Sequence, residues 1–285
     1  MKDGKTYYQW IKPTKDEHKD QGTTEVVVLV HGLTWWNFVW DPIVPFFHSR
    51  GHSVLTFDLY GRGRSDAPGV ASYNVDFYVE QTRELIEKVL GNQKVILCGM
   101  SMGGAITGVF TSKYPQMVSK AILMCPAGIQ VPLPGIVSFL SIPLIGWLGF
   151  KYAGKSSLIE QTKRDRFKEN FHQFQKCLDS GLIDELEQNV LWLFEKPGFL
   201  DCLFYTLSNF EWNTLLPVYE GIKADIPVLL LWGDNDVVCQ GSEQFLKMVP
   251  HAKYGELKNC GHAFLYEDSP QAEIFISQFL DNHSN

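Results

Sequence analysis

Ser101 lies in a five-residue pattern that could make it a nucleophile. It is the centre of Gly99-Met100-Ser101-Met102-Gly103, directly after the apolar run Lys94–Cys98 and directly before the helix-compatible stretch Gly104–Tyr114. A Gly-x-Ser-x-Gly turn between a strand and a helix strains the serine backbone and lifts the hydroxyl above the sheet edge. The same five residues also occur in ordinary glycine-rich loops, so the strand and helix on either side carry the interpretation. In this context the pattern predicts a serine nucleophile.

A serine hydroxyl barely ionises at neutral pH, so it needs a base and an acid that orients the base. His262 follows the strand-like run Lys253–Leu257 and is the candidate base. The buried-strand pattern Ile226–Trp232 leads into Asp234 and Asp236, so we expect the acid there. The chain order serine, aspartate, histidine is the one found in α/β-hydrolases.

Together these residues resemble the α/β-hydrolase superfamily, specifically its capped serine-hydrolase branch. The resemblance spans nearly the whole chain and rests on further motifs: His31-Gly32, Asp58 to Asp66, Gly233 followed by Asp236, and Gly261-His262 followed by Glu267 and Pro270. It implies a mostly parallel, eight-stranded sheet with helices on both faces and a helical cap insertion. It also implies that the acid is Asp236, three residues after the strand-ending glycine, with Asp234 as the alternative.

A serine hydrolase also needs N–H groups that stabilise the oxyanion of the tetrahedral intermediate. The amide of Met102 fits, because it follows the nucleophile at the positive end of a predicted helix. The resemblance implies that the amide of Leu33 is the second donor, with Thr34 next in line. His31 could be a second base, but in proteins with this motif it usually braces the oxyanion loop.

The candidate substrate pocket is aromatic and poor in charge. Trp35 and Trp36 follow the oxyanion turn and Met100 precedes the nucleophile, although core packing would explain the aromatic residues equally well. A pocket of this kind suits fatty-acyl or aromatic esters. We interpret the charges of residues 58–66 as structural, with contact between Arg64 and a substrate acid as the alternative.

The elements that must position these residues follow from alternating apolar and helix-compatible stretches, which predict a mostly parallel α/β sheet. The predicted strands are Glu25–Val30, Ser53–Phe57, Lys94–Cys98, Val118–Met124, Ile226–Trp232 and Ala252–Leu257, with residues 12–21 as a turn between two early strands. The predicted helices lie near Asp41–Ser49, Asp76–Leu90, Met102–Tyr114, Ser242–Val249 and Gln271–Asp281. We predict a hydrolase core made of residues 1–126 and 217–285, interrupted by a helical cap at residues 127–216.

The first part of the predicted cap contains no charged residue from Ala121 through Phe150. Within it, Val131–Phe150 is long enough to suggest a transmembrane helix. A single span there would separate Ser101 from Asp236 and His262, and three prolines interrupt it. We therefore interpret it as a cap segment that shelters an apolar substrate or contacts a membrane surface, with burial against the core as the alternative.

Composition limits the partners and the cellular setting. The net charge of −7 over 285 residues argues against nucleic acid as a partner. The six cysteines occur singly, so we expect buried free thiols rather than a zinc ribbon or a disulfide framework. The first residues, Met1–Tyr8, have no apolar signal region, so we expect a cytoplasmic protein, with membrane association as the alternative.

These observations predict a serine ester hydrolase that uses no metal and no cofactor. The expected substrate is a lipophilic carboxylic ester, as for a carboxylesterase or a monoacylglycerol-lipase-like enzyme. The same triad would serve a C–C bond hydrolase acting on β-diketone-like ring-fission products. A non-catalytic small-molecule receptor with the same fold is a third possibility, against which the intact triad counts.

Overall fold

One mostly parallel sheet forms the centre of the structure, a computed structural model that describes residues 1–12, 25–70, 72–132, 145–164 and 167–282. Its strands are β1 Tyr8–Ile11, β2 Val26–Val30, β3 Val54–Phe57, β4 Val95–Met100, β5 Val118–Met124, β6 Val228–Gly233 and β7 Lys253–Leu257. They lie in the order β1-β3-β2-β4-β5-β6-β7. Strand β1 is antiparallel to β3, and the other neighbours are parallel.

The number of strands differs from the expectation. The described residues contribute seven strands to the sheet, so the prediction of eight is wrong for this part of the chain. Six of the seven match the apolar runs identified in the sequence, and β1 is the seventh. The predicted turn at residues 12–21 lies, apart from Lys12, outside the described residues.

The central strands are apolar along their whole length because they are buried on both faces. All residues of β2, β4 and β6 are buried. Parallel sheets covered by helices on each side show this continuous pattern, without the alternation of a half-exposed strand. The sheet thus provides a rigid edge at the carboxyl ends of β2, β4 and β6, from which the candidate site residues extend.

The helices of the core follow the predicted positions. They are α1 Val44–Ser49, α2 Val75–Leu90, α3 Met102–Lys113, α10 Ser242–Met248 and α11 Phe264–Asp281. The side chain of Asn74 caps α2 by accepting a hydrogen bond from the Phe77 amide at 3.0 Å. Helix α11 starts seven residues earlier than predicted and is kinked at Asp268, next to Pro270.

Between β5 and β6 the described chain is helical. Its helices are α4 Ile145–Gly149, α5 Lys155–Arg164, α6 Phe174–Asp179, α7 Leu182–Phe194, α8 Phe199–Asn209 and α9 Leu216–Tyr219, with a π-helical turn at Phe150–Gly154. Several of them pack in an apolar cluster that includes Phe167, Leu186 and Phe199 and also contains Phe38 and Ala263 of the core. Residues 133–144, the middle of the uncharged stretch, lie outside the described residues. Within the described ranges, no helix combines the length and apolarity needed to cross a bilayer.

Candidate active site

Ser101 forms a sharp turn between β4 and α3. Its φ and ψ are 59° and −122°, a conformation that non-glycine residues rarely adopt. The Ser101 amide donates to the carbonyl of Met124 at 2.9 Å, and the Ser101 carbonyl accepts from the Ala105 amide at 3.1 Å. These bonds tie the strained residue to β5 on one side and to the first turn of α3 on the other. The hydroxyl therefore lies at the amino end of a 12-residue helix, where the helix dipole favours negative charge.

Two glycines allow this turn to form. A Cβ atom on Gly103 would lie 1.9 Å from the carbonyl oxygen of Val30, and one on Gly99 would lie 2.1 Å from the carbonyl oxygen of Gly103. Both obstacles are backbone atoms, which cannot move aside as a flexible side chain can. The glycines are thus needed for close approach of strand and helix.

His262 and Asp236 are in direct contact. Nδ1 of His262 lies 2.8 Å from Oδ2 of Asp236, and both residues are buried. The other carboxylate oxygen accepts from the amides of Val238 and Cys239 at 2.8 and 3.0 Å. Because an ionised carboxylate can only accept, Nδ1 of the histidine carries the proton and Nε2 is left as the acceptor. This is the tautomer that a general base for a serine requires.

Asp234, the alternative acid, has a different place. It is exposed, and its Oδ1 accepts hydrogen bonds from the Cys260 amide at 3.2 Å and from the side chain of Asn235 at 2.6 Å. Asp234 thus supports the loop that carries His262, whereas Asp236 contacts the imidazole itself.

The backbone after β2 is fixed by His31. Its Nδ1 lies 2.8 Å from the Gly32 carbonyl, and its Nε2 accepts the Leu59 amide at 2.8 Å. Complete burial lowers the pKa of His31 to about 3, so the ring is neutral. With both nitrogens in use, His31 is a brace and has no nitrogen left to act as a base.

This brace also sets the direction of the Leu33 amide. The carbonyl oxygen and the N–H group of a trans peptide point in opposite directions. Because His31 holds the Gly32 oxygen, the Leu33 N–H of the same peptide points away from His31. Gly32 itself lies against the nucleophile, since a Cβ there would be 3.4 Å from Cβ of Ser101. Met102 is the first residue of α3, where the amides of the first turn have no partner within the helix.

Ser101 and His262 both line a cavity of about 320 Å³. Most of the other lining side chains are apolar or aromatic; they include Leu33, Trp35, Val39, Met100, Val131, Leu158, Leu203, Leu207 and Trp212. Two of the three predicted pocket residues, Trp35 and Met100, are among them. The ring of Trp35 also packs against Phe38 and Tyr266, with centroids 5.7 and 5.6 Å away.

Trp36, the third predicted pocket residue, lies elsewhere. It is not part of the cavity lining formed by the described residues. Its ring packs against the half-exposed Trp192 of α7 at 5.4 Å, and its Nε1 donates to the Asn189 carbonyl at 3.4 Å. The prediction that Trp36 lines the pocket is therefore wrong for the described lining, because this residue instead joins the core to the inserted helices.

Comparison with known proteins assigns the family. The sequence matches the Alpha/beta hydrolase family over residues 27–275. The chain belongs to the α/β hydrolase family. This confirms the resemblance seen in the motifs, and the protein is a serine hydrolase.

Three known proteins illustrate the relationship of this α/β hydrolase. It is 26% identical to Monoacylglycerol lipase ABHD6 of Homo sapiens over 274 residues, covering 91% of this chain and 76% of the relative. It is 32% identical to Proline iminopeptidase of Saccharolobus solfataricus over 294 residues, covering 93% and 87%. The crystal structure of the enol-lactonase from Burkholderia xenovorans has a TM-score of 0.78 at 18% identity, covering 98% and 97%, a likeness of fold alone.

Sequence reasoning missed several residues of the site of this α/β hydrolase. Gln161, Glu169 and Asn170 add polar groups to the cavity lining, and the insertion also contributes Leu203 and Leu207. No motif marks these positions, because only the tertiary packing of the chain between β5 and β6 brings them to the cavity.

Cys239 was also missed, and it lines the cavity three residues after Asp236. Burial, with the nearby Asp236 charge adding to it, raises the pKa of the Cys239 thiol well above its ordinary value. The thiol is therefore neutral at physiological pH. All six cysteines are buried and free, whereas the sequence predicts this for several of them.

Three buried side chains among the described residues carry atoms of the kind that bind metals: Cys125, Asp236 and His262. These atoms lie within 4.8 Å of one another. The Cys125 thiol donates to the His262 carbonyl at 3.7 Å, and the other two side chains are bonded to each other. The Cys125 thiol thus supports the backbone of His262, and Asp236 holds its imidazole ring.

The acidic and basic residues after β3 shape a loop. The buried carboxylate of Asp58 accepts from the amides of Asn37 and Arg64 at 2.9 and 2.8 Å. Burial raises the pKa of Asp58 to about 6, with the two backbone hydrogen bonds opposing that rise. The Arg64 side chain donates to the Tyr7 hydroxyl at 2.8 Å, outside the described cavity lining, which agrees with the structural interpretation of these charges.

Proposed function

We propose that the protein hydrolyses a lipophilic carboxylic ester through Ser101, His262 and Asp236. The observation that carries the proposal is the 2.8 Å contact between His262 and Asp236 beside an apolar cavity that Ser101 also lines. Such an arrangement supplies a nucleophile, a base and an acid that holds the base in one tautomer.

In the proposed cycle, Nε2 of His262 takes the Ser101 proton while the serine oxygen attacks the ester carbonyl carbon. The amides of Met102 and Leu33 stabilise the oxyanion that forms. His262 then gives its proton to the leaving alcohol, and the acyl group remains on Ser101. A water molecule, deprotonated by His262, then attacks the acyl carbonyl carbon. The bond to the Ser101 oxygen breaks, His262 returns its proton to that oxygen, and the acid leaves.

The cavity lining supports a neutral lipid ester as the substrate class. Most of the lining is apolar, which suits an acyl chain, and Gln161, Glu169 and Asn170 offer hydrogen-bond partners for a polar alcohol. The described lining contains no lysine or arginine, so it lacks a cation that would favour an anionic headgroup. The related monoacylglycerol lipase supports a fatty acid ester of a small uncharged alcohol.

We also propose that the inserted helices cap the site. Leu158 and Gln161 come from α5, and Leu203 and Leu207 come from α8, and all four line the same cavity as Ser101. In this role the insertion excludes bulk water from the acyl-enzyme and selects the acyl chain. The boundaries of the cap at residues 127 and 216 remain a prediction.

Helix α4 and the π-helical turn that follows it are our candidate for contact with a membrane surface. Leu148 is 38% and Tyr152 is 80% exposed, and Lys151 lies 4.5 Å above the Trp147 ring. An exposed apolar surface with a nearby cation suits the boundary between lipid headgroups and acyl chains.

Sedimentation with anionic lipid vesicles tests this contact. The double variant Leu148→Glu and Tyr152→Glu should bind less than wild type. Ile274→Glu, which changes a 57% exposed residue on α11, is the matched control. Full recovery of the wild type in the supernatant would rule out the contact.

Labelling with a fluorescent fluorophosphonate tests the nucleophile. Wild type should label strongly, and Ser101→Ala and His262→Ala should not. If wild type fails to label where a control serine hydrolase does, Ser101 is not an activated nucleophile and the proposal is wrong.

A substrate panel then tests the reaction. We expect turnover of monoacylglycerols and of p-nitrophenyl esters. Turnover of a vinylogous diketone without any ester would favour C–C hydrolysis instead, and the related proline iminopeptidase is the reason to include a prolyl amide.

A further inference from the structure

Arg62 is a fully buried arginine that belongs to none of the proposed catalytic steps. Its guanidinium donates from Nε to the Leu33 carbonyl and from Nη1 to the Tyr60 carbonyl, both at 3.0 Å. It also donates to the Tyr78 hydroxyl from Nη1 and to Oγ1 of Thr206 from Nη2, the latter at 3.0 Å. The partners among the described residues are thus carbonyls and hydroxyls rather than a carboxylate. A buried charge is costly, so these four bonds must each be held in a good geometry.

The bond to Leu33 completes the support of the oxyanion loop. His31 holds the peptide before Leu33 through the Gly32 oxygen, and Arg62 holds the peptide after it through the Leu33 oxygen. The two peptide planes that meet at the Leu33 Cα are therefore both fixed from the core side. The Leu33 N–H lies in the first of these planes, and because Arg62 holds the second plane, the first is restrained from rotating about the bonds at the Leu33 Cα.

The bond to Thr206 connects this loop to the wall of the cavity. Thr206 lies on α8, between Leu203 and Leu207, which both line the cavity. Its hydroxyl also lies 2.7 Å from the Tyr78 hydroxyl and donates to the Cys202 carbonyl at 2.7 Å. The Arg62 guanidinium thus contacts three parts of the structure at once and fixes their relative positions. They are the loop at Leu33, helix α2 of the core and helix α8 of the insertion.

We propose that Arg62 is a positioning residue that aligns the Leu33 amide for oxyanion stabilisation and couples it to α8 through Thr206. This inference rests on the proposed function. An oxyanion hole works only when its donors are already directed at the charge that forms, so a small rotation of the Leu33 peptide lowers the rate of the chemical step. Substrate binding in the apolar cavity does not depend on that rotation.

The test measures kcat per active site. Active sites are counted by fluorophosphonate titration, so misfolded protein does not enter the rate. Arg62→Lys keeps the charge but cannot reproduce the planar set of donors, and we expect a 10- to 100-fold lower kcat with KM within about twofold of wild type. The rate of fluorophosphonate labelling should fall in parallel. The pH profile of kcat/KM should keep its wild-type shape, because His262 and Asp236 are unchanged.

A second pair of variants keeps the proposal testable if Arg62→Lys does not fold. Thr206→Val removes the acceptor for Nη2 at nearly constant volume, and we expect a kcat about tenfold lower, with Thr206→Ser restoring it. Ser208→Ala, on the same helix, removes a hydroxyl that donates to the Phe204 carbonyl at 2.8 Å, and it should keep the wild-type kcat.

The outcomes separate this inference from the proposed function. If wild type labels normally and Thr206→Val keeps the wild-type kcat per active site, Arg62 does not position the loop through α8 and the inference is wrong. A lower melting temperature with unchanged kcat per active site would likewise show a purely structural arginine. If wild type does not label at all, the proposed function fails first.

Discussion

The carboxylate of Glu267 accepts the backbone N–H of Gly261 at 2.6 Å, one residue before His262. Its other oxygen accepts the Gln173 amide, also at 2.6 Å, so one buried side chain joins the histidine loop to the inserted helices. The Asn170 carbonyl adds a second link between the histidine loop and the insertion by accepting the Ala263 amide at 2.8 Å. The position of His262 thus depends on a contact between core and insertion.

Glu267→Gln should weaken this contact. Glutamine has a single acceptor oxygen, so its NH2 group would face one of the two N–H donors. We expect a loss of about 1–3 kcal/mol in the free energy of unfolding and a lower kcat, measured by urea denaturation and ester hydrolysis. Glu220→Gln, at an exposed position, should change neither quantity. Wild-type stability in Glu267→Gln would contradict a linking role.

Asp236→Asn should reduce kcat by about 10⁴-fold, because an amide in place of the carboxylate no longer selects the tautomer with the proton on Nδ1. Asp234→Asn should retain most of the activity, since Asp234 supports the loop without touching the ring. Hydrolysis rates normalised to titrated active sites compare the two variants. The reverse result would assign the acid to Asp234.

Gly103→Ala should destabilise the fold more than any ordinary surface substitution. The added Cβ would lie 1.9 Å from the Val30 carbonyl oxygen, so β2 and α3 must separate. We expect a loss of about 3 kcal/mol or more, seen as a lower denaturation midpoint. Gly69→Ala, whose Cβ would meet nothing within 4 Å, is the control. Equal midpoints would contradict the close approach.

The sequence predicts the parts of the site that local pattern determines. Ser101 follows an apolar strand and His262 follows the strand Lys253–Leu257. The sheet brings the carboxyl ends of parallel strands to one edge, so the two residues are expected to lie close together. The order of neighbouring side chains around a turn does not follow from pattern. Trp35 and Trp36 are adjacent in sequence, yet one lines the cavity and the other packs on α7. Likewise the choice between Asp234 and Asp236 depends on turn geometry.

The sequence does not predict which distant segments contact each other. Arg62 and Thr206 lie 144 positions apart, and nothing in either neighbourhood indicates that they form a buried pair. The polar residues of the cavity could not be predicted either, because packing of the insertion against the core brings them to the cavity. Local propensity determines each helix, whereas its docking depends on side-chain fit over the whole interface.

His31 should make stability fall as the pH falls. Its pKa is about 3 in the folded protein and near 6.5 when exposed, so the unfolded chain binds the extra proton between these values. The contribution is fully present above about pH 6.5 and is lost progressively toward pH 3, with a slope that approaches about 1.4 kcal/mol per pH unit. The difference in unfolding free energy between wild type and His31→Gln, measured from pH 4.5 to 7.5, isolates this residue. A difference that stays constant with pH would show that His31 does not titrate in this way.

Leu207→Trp should change the preference for acyl-chain length. Leu207 lines the cavity from α8, and a larger side chain there reduces the space available to a long apolar chain more than to a short one. We expect the ratio of kcat/KM for a long-chain to a short-chain p-nitrophenyl ester to fall by at least tenfold, while the short-chain value stays near wild type. Because the ratio compares two substrates on the same preparation, a partial loss of folded protein cancels. A ratio equal to that of wild type would mean that the acyl chain does not reach α8, and the wall that selects it would then have to be sought along Trp35 and Val39 on the core side of the cavity.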